Sequence, residues 1–364
     1  MLWISTAAAG VLATYGGAAV PGNAGVAAPS TLSSWSNPAA MRSEKAGGSA
    51  EYLLGRSSFT LDGQELSPSY DTDGLLIGVV VNGYWLRLPR THAGLSVFMP
   101  RKGPFSWYEV PPEDETAPAT PHVPRFESEL DRLDIAGAVS ADLVRERLAV
   151  GLGFDVSAEV ETYTFVEVED ADVPEEAGKG QAVTISPTFH PYLGLWGSVG
   201  PLQLGLVGRT ERKMHDFGAT YVDVQGLEVL YRHDFIRHYA PPSVTLGGAV
   251  SIGDGLSVRA EGSWERWSGA VDPYGEPLGW ADTVTGRAGL EWTRQRLWAS
   301  GGYGFDPGNA PSGLMLDGSS HAATLGAGWR FDRVSVQAGL RGRVFPDDGG
   351  FSGRFLAGSL GIGW

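Results

Sequence analysis

The chain has 364 residues, 52 glycines, no cysteine and a formal charge of −15. A helical span needs roughly 20 consecutive apolar residues; with 42% hydrophobic residues in short runs, a helical membrane bundle is excluded. The missing thiols exclude disulfides and thiolate metal sites, and the acidic balance argues against nucleic acid, whose binders present a basic face. High glycine with 12 Trp and 12 Tyr fits a closed β-barrel in a membrane.

Met1–Val20 is apolar and lacks Lys and Arg. A secretory signal normally opens with positive charge. Residues 1–15 are therefore either the remnant of a signal or the start of the mature chain. Tyr15–Met41 is rich in Gly, Ala and Ser and follows neither the helical nor the strand period. Small residues of this kind pack tightly inside something else.

From Ala50 the period changes to two. Strands are expected near 50–60, 74–88, 92–100, 131–140, 144–167, 182–197, 202–212, 228–252, 256–267, 281–292, 296–305, 320–331, 334–344 and 354–364, about 14 in all. The rule is clearest at 242–267. Val244, Leu246, Val250 and Ile252 alternate with small or polar residues up to Gly253-Asp254-Gly255. Leu256, Val258, Ala260 and Trp264 then alternate with Ser257, Arg259, Glu261, Ser263 and Glu265. This is a hairpin with one apolar face. Val244, Leu246, Val258 and Trp264 are expected to face lipid. Arg259, Glu261, Glu265, Arg287 and Arg330 are expected to face the lumen.

The connections alternate too. Short ones (89–91, 141–143, 198–201, 253–255, 293–295, 332–333) take turns with long ones (61–73, 101–130, 168–181, 213–227, 268–280, 306–319, 345–353). Outer-membrane barrels have short periplasmic turns and longer extracellular loops. Both ends of the barrel chain are thus expected on the periplasmic side. Trp264, Trp292, Trp329 and Trp364 fall near strand ends, where aromatic girdles belong. The loop 101–130 carries Phe105, Trp107 and Tyr108, candidates for holding an apolar ligand, followed by an acidic, Pro-rich run. Such a length is uncommon for a mere connector, and a solvated loop is the alternative reading.

Several stretches carry a resemblance to a family. Gly16-Gly17-Ala18 followed by Asn37-Pro38-Ala39-Ala40-Met41, just before the first strand, resembles the N-terminal hatch of the FadL family. These are long-chain fatty acid and aromatic hydrocarbon transporters of the outer membrane. Gly94–Pro100, Ala240–Gly247, Trp264–Ser268 and Tyr303–Pro307 with Pro311 are similar to later segments of that family, in the same order. The Ala-rich hatch without evident aromatic pocket residues departs from the pattern. The terminal Trp364 departs as well, Phe being commoner there.

The resemblance implies an all-β, transmembrane antiparallel barrel over 50–364 with a hatch, residues 16–49, in its lumen. The residues agree: the segment is too small to form a core of its own, and an inward face of Gly, Ala, Ser and Thr leaves it room. Pro38 sets its own φ, restricts Asn37 and leaves one less donor to satisfy. The implied function is passive uptake of hydrophobic small molecules in a bacterial outer membrane. Ligand is captured near the extracellular loops, passes the hatch, and leaves inward or through a gap in the wall. The expected partners are that ligand, outer-membrane lipid and lipopolysaccharide, and the barrel-assembly machinery that reads the terminal aromatic. A monomer without cofactor or metal is expected. A general porin-like or structural barrel is the alternative, followed by a membrane-embedded hydrolase. There is no His-Glu-x-x-His, P-loop or Gly-x-Ser-x-Gly. His190, His215 and His321 are the candidates for a Ser–His pair across strands, and His233 and His238, five apart on a strand, fall on opposite faces and cannot share a metal.

Overall fold

The computed structural model describes residues 25–28, 30–43, 46–61, 64–83, 87–88, 90–102, 134–145, 147–168, 178–224, 227–271, 275–308, 319–348 and 351–364. A helical turn, Ser33–Ser36, and a 3-10 turn, Pro38–Ser43, precede the strands. The strands are β1 Gly47–Leu61, β2 Gln64–Asn82, β3 Thr91–Lys102, β4 Asp134–Val144, β5 Leu148–Val168, β6 Gly178–Val199, β7 Leu202–Arg209 and β8 Arg212–Val224. They continue as β9 Leu227–Ala240, β10 Ser243–Ile252, β11 Leu256–Glu265, β12 Thr283–Arg294, β13 Leu297–Asp306, β14 Ser320–Arg330, β15 Ser335–Asp348 and β16 Phe351–Gly363.

Fourteen of these strands form a closed antiparallel ring. Neighbours in sequence pair from β1 to β7, β7 pairs with β10, and the series runs on to β16. β16 then pairs with β1, from Ser49 opposite Gly363 to Leu61 opposite Phe351. Closure leaves no strand edge inside the ring, as a sheet in hydrocarbon requires. No helix among the described residues is long and apolar enough to cross a membrane.

The alternation of each strand sorts into two faces. Outward lie Leu246, Leu290, Leu325, Leu340, Leu356 and Leu360, all exposed. Leu246 pairs with Leu206, and Leu206 with Leu195, so the apolar rows run across strands. An exposed apolar surface this continuous marks a lipid-facing wall. Trp292, Trp329 and Trp364 lie exposed at the short-turn end; Trp264, Tyr303 and Phe305 lie exposed at the other. The β10–β11 turn is built on Gly253 and Gly255, whose φ values of 59° and 106° favour glycine.

Several expected boundaries differ. Residues 213–227, read as a loop, are largely β8, and 228–252 is two strands parted at Pro241-Pro242. The β8–β9 hairpin stands outside the ring. Among the described residues, β4 pairs with β5 only as far as Ile135, opposite Val156. From Val160 to Val168 the edge of β5 pairs with β8, in parallel. An unpaired edge invites association, and the hairpin covers this stretch of β5. The connections expected at 61–73 and 345–353 are mostly strand, because β1–β2 and β15–β16 run on beyond the ring's apolar band. β2 ends at Asn82, earlier than the expected 88, and β1 begins at Gly47.

The wall assignment is tested by charge. Leu246→Arg places a cation on the lipid face and should cost roughly 2–4 kcal/mol, whereas Thr245→Arg faces the lumen and should cost far less. Urea titration of the two variants folded into bilayers measures the difference.

Candidate functional site: the lumen and the segment that crosses it

Residues 25–28 and 30–43 lie against the inward face of the ring. Ala39, Ala40, Met41 and Asn37 are fully buried. The polar contacts reach across the lumen. Thr31 Oγ1 meets Ser49 Oγ of β1 at 2.6 Å, and Ser34 Oγ meets Ser96 Oγ of β3 at 2.6 Å. Trp196 Nε1–H of β6 donates to the Ala27 carbonyl (2.9 Å), and Val26 N–H donates to Glu261 Oε2 of β11 (3.1 Å). The Tyr192 hydroxyl donates to the Ser34 carbonyl and Arg209 donates to the Trp35 carbonyl. Buried backbone groups need such partners, and here the wall's side chains supply them.

Asn37 ties the segment to itself and to the wall. Its Nδ2 donates to the Val26 carbonyl (2.7 Å) and to the Leu195 carbonyl (3.0 Å), while its Oδ1 accepts from Ala39 N–H (3.0 Å). Its backbone, φ −152° and ψ 107°, is extended, the conformation that a following proline favours. Arg42 pairs with Asp142 of β4 at 3.1 Å and stacks over Trp196.

The contact depends on glycines of the wall. A Cβ on Gly78, Gly94, Gly151, Gly194 or Gly205 would overlap Thr31, Met41, Pro38, Asn37 or Val26 respectively. These five sit on β2, β3, β5, β6 and β7 and form an inward belt on which the segment rests. Gly208, of the opposite parity on β7, has nothing within 4 Å of such a Cβ.

The rest of the lumen has two characters. Leu53, Leu76, Phe98, Phe355 and Ala357, from β1, β2, β3 and β16, form a buried apolar cluster with Leu32, against which Trp35 packs. Round the ring from β16, the wall of β15 to β11 carries ion pairs. Arg259 pairs with Glu291 (2.7 Å), Arg287 with Glu261 (2.9 Å) and Arg343 with Asp306 (3.1 Å). Gln337 donates to Glu51 (3.1 Å). Near the far mouth Arg209 pairs with Asp155 (3.0 Å) and Arg212 with Asp134 (3.2 Å). Arg209 also lies 4.2 Å from the Tyr192 ring centroid. Beyond β11, Trp267 and Trp280 pack at 5.4 Å, and the Trp267 indole donates to Glu265 (2.9 Å). Ser268 N–H donates to Asp282 and holds its carboxyl below the usual carboxylate range.

The expected site residues divide as follows. Asn37, Pro38, Ala39, Ala40 and Met41 come together against β3–β6. Arg259, Glu261, Glu265 and Arg287 share the inward face of β11 and β12. Arg330 stands apart: it has the inward parity but lies exposed at the short-turn end of β14, outside the ionic wall. Phe105, Trp107 and Tyr108 fall outside the described residues. Asp134, Asp155, Tyr192, Arg209 and Arg212 carried no local signal, because their partners lie 54 to 158 positions away. His190 Nδ1 lies 3.1 Å from the Glu211 carbonyl, and His321 meets the Tyr303 hydroxyl. His215 lies on β8 and His233 and His238 on β9. His92 is the histidine placed opposite a serine, Ser140, with Asp142 two residues on. Ser140 Oγ and His92 Nδ1 have no hydrogen-bond partner among the described residues. No three His, Asp or Glu side chains among those residues are grouped as a metal ion needs.

A closed antiparallel ring with a lipid-facing exterior and a lumen crossed by the N-terminal segment defines a membrane β-barrel of the occupied-pore class. No protein-family model and no curated protein sequence matches the chain. Solved structures do. A FadL homologue of Pseudomonas aeruginosa aligns at TM-score 0.57 and 14% identity, covering 94% of this chain and 95% of its own. The P. putida toluene transporter TodX aligns at 0.57 and 14%, covering 94% and 97%. The CymD monoaromatic hydrocarbon channel aligns at 0.56 and 12%, covering 92% of each. The chain therefore has the FadL-type barrel fold.

The belt is tested by filling it. In a chain without native cysteine, Ala40→Cys should resist a water-soluble thiol reagent. Adding Gly205→Val should expose it to labelling, and adding Gly208→Val should not. Equal labelling of the two double variants, both folded, would remove the role given to the belt.

Proposed function

We propose that the protein is a passive channel for hydrophobic small molecules in the outer membrane of a bacterium. One observation carries this reading. One side of the lumen carries a cluster of buried Leu53, Leu76, Phe98 and Phe355, packed against Leu32 and Trp35. A water-filled pore has a polar interior, whereas apolar solutes need a desolvated apolar surface with few polar groups. The names of the similar structures (a FadL homologue, a toluene transporter, a monoaromatic hydrocarbon channel) support it.

In this reading the outer leaflet's lipopolysaccharide excludes apolar solutes, and the loops on the long-connection side, 101–130 among them, capture them. Solute then moves along the apolar half of the lumen. Residues 16–49 act as the hatch, keeping the pore closed to water and ions until they shift. No cofactor and no energy source takes part. The chain acts as a monomer, placed in the membrane by the barrel-assembly machinery. Exit through the wall between β2 and β4 would require breaking pairs, since β2–β3 is paired from Gly74 to Asn82 and β3–β4 from Thr91 to Phe98. A general porin has no use for a segment lying across its lumen. A hydrolase needs a nucleophile hydrogen-bonded to its base, a contact that Ser140 and His92 do not make.

Phe98→Asp puts a charge into the apolar half. Losing a buried aromatic contact costs about 1.5–3 kcal/mol, so uptake of labelled toluene or a long-chain fatty acid should fall roughly ten- to hundredfold. Deleting residues 16–43 should leave a barrel that inserts and conducts ions in planar bilayers while losing selective uptake. Unchanged uptake by a folded Phe98→Asp barrel would rule out the apolar half as the path, and a deletion variant no more conductive than the intact protein would rule out the hatch.

A further inference from the structure

The outer wall is dented where β2–β5 reach the short turns. Val81 pairs with Ala93, Ala93 with Val139 and Val139 with Leu152, which sets these four side chains in one outward row. In the next row Thr91 lies beside Ala141. The small Ala93, Thr91 and Ala141 form a floor between Val81 and Leu88 on one bank and Val139 and Leu152 on the other. The result is an almost wholly apolar groove of about 420 Å³. Its bulky members are exposed. A wall facing featureless hydrocarbon has no need of a groove, and a groove leaves dispersion contacts unmade until a chain fills it.

Cations stand at the open end of this groove. The β2–β3 turn carries Arg87 and Arg90, and the β4–β5 turn carries Arg145 and Arg147; all four are exposed. Asp142 N–H donates to the Arg90 carbonyl (3.0 Å), which holds the first turn against the end of β4. Arg87 adopts a φ of 61°, a left-handed conformation uncommon outside glycine. The carboxylate of Asp142 turns inward to Arg42, and with Glu146 between Arg145 and Arg147 the two turns keep a net positive charge in sequence.

We infer that this groove and its arginines form a binding site for an anionic phospholipid, with one acyl chain in the groove and the phosphate among Arg87, Arg90 and Arg147. Guanidinium groups match phosphate oxygens in charge and geometry. Basic residues at a membrane surface favour anionic lipid, each by a modest amount. The apolar groove adds what a mere ring of surface charge lacks, a place for one chain. The inference rests on the reading of the protein as a membrane barrel, and it concerns the outer face, away from the pore.

The test is lipid retention by the full-length barrel, read by native mass spectrometry after incubation with phosphatidylglycerol or phosphatidylcholine of equal chain length. The intact protein should retain phosphatidylglycerol roughly tenfold better. Arg87→Gln/Arg90→Gln/Arg147→Gln should remove that preference. Ala141→Trp, which fills the groove, should lower retention of both lipids, with Ala93→Leu as the milder filling variant should the first not fold. Arg294→Gln/Arg333→Gln, on short turns elsewhere around the ring, should change nothing. Retention by a folded groove-filled variant equal to that of the intact protein overturns the site. So does an equal loss from the Arg294/Arg333 variant, which would mean a diffuse belt of charge. An intact protein that takes up hydrophobic solute yet shows no preference for phosphatidylglycerol overturns this site alone and leaves the channel reading standing.

Discussion

Everything in this molecule follows from a backbone that must satisfy its own hydrogen bonds in hydrocarbon. The answer is the ring, in which each wall strand has a neighbour on both sides and β1 meets β16. Once the ring is closed, alternation does the rest. One set of side chains must tolerate lipid, and the other set decides what the lumen is. The outward set is dominated by Leu, Val and aromatic residues. The inward set is mixed, and its mixture is not random around the circumference.

β16 and β1–β3 contribute the buried apolar cluster, beside the polar Ser49, Glu51 and Ser96, and β11–β15 contribute three ion pairs. The N-terminal segment lies between these halves and borrows from both. Leu32 joins the apolar cluster, while Val26 N–H takes a carboxylate oxygen of Glu261 that Arg287 also holds through the other oxygen. The segment is held by many modest contacts rather than by a core of its own. A net hydrogen bond contributes only about 0.5–1.5 kcal/mol, so such an element can be firmly placed and still displaced as a unit. The three ion pairs of β11–β15 also limit what that wall can bind. Arg259, Arg287 and Arg343 could take up an anion only by giving up a carboxylate each now holds.

The wall was legible in the sequence because period-two alternation survives wherever one face meets lipid. Val244–Trp264 shows this, and its register places Val244 opposite Trp264 as a tight hairpin turn demands. The strand β8 was not legible for the complementary reason. Arg212–Val224 carries His215, Asp216, Gly218 and Asp223, because it pairs with the part of β5 beyond the ring's apolar band, where neither face needs to be apolar. The pairing of β8 with β5 is parallel and long-range, and no local pattern announces it. The small-residue composition of the segment pointed inside the ring, but which glycines would receive it depended on register. Gly78 and Gly205 look like any other strand glycines until Thr31 and Val26 are laid against them. The ion pairs at the far mouth were hidden by the same distance in sequence, and Arg330 shows that parity alone does not place a side chain in the lumen when the strand is ending.

The pairing of β1 with β16 has a kinetic side. Ser49 and Gly363 come from opposite ends of the sheet, so the contact that seals the wall is also the one of greatest sequence separation. Loop-closure entropy makes such contacts late and slow. Until the seal forms, two bare edges face each other or a neighbouring chain, the condition under which sheets join wrongly. Trp364 accepts from Gly48 N–H and donates back to its carbonyl at 3.0 and 2.9 Å, and its ring lies over Gly48. The last rung of the ladder is thereby a two-way clasp, and a barrel lacking it would be an open sheet whose lifetime in the membrane is set by how quickly another edge finds it.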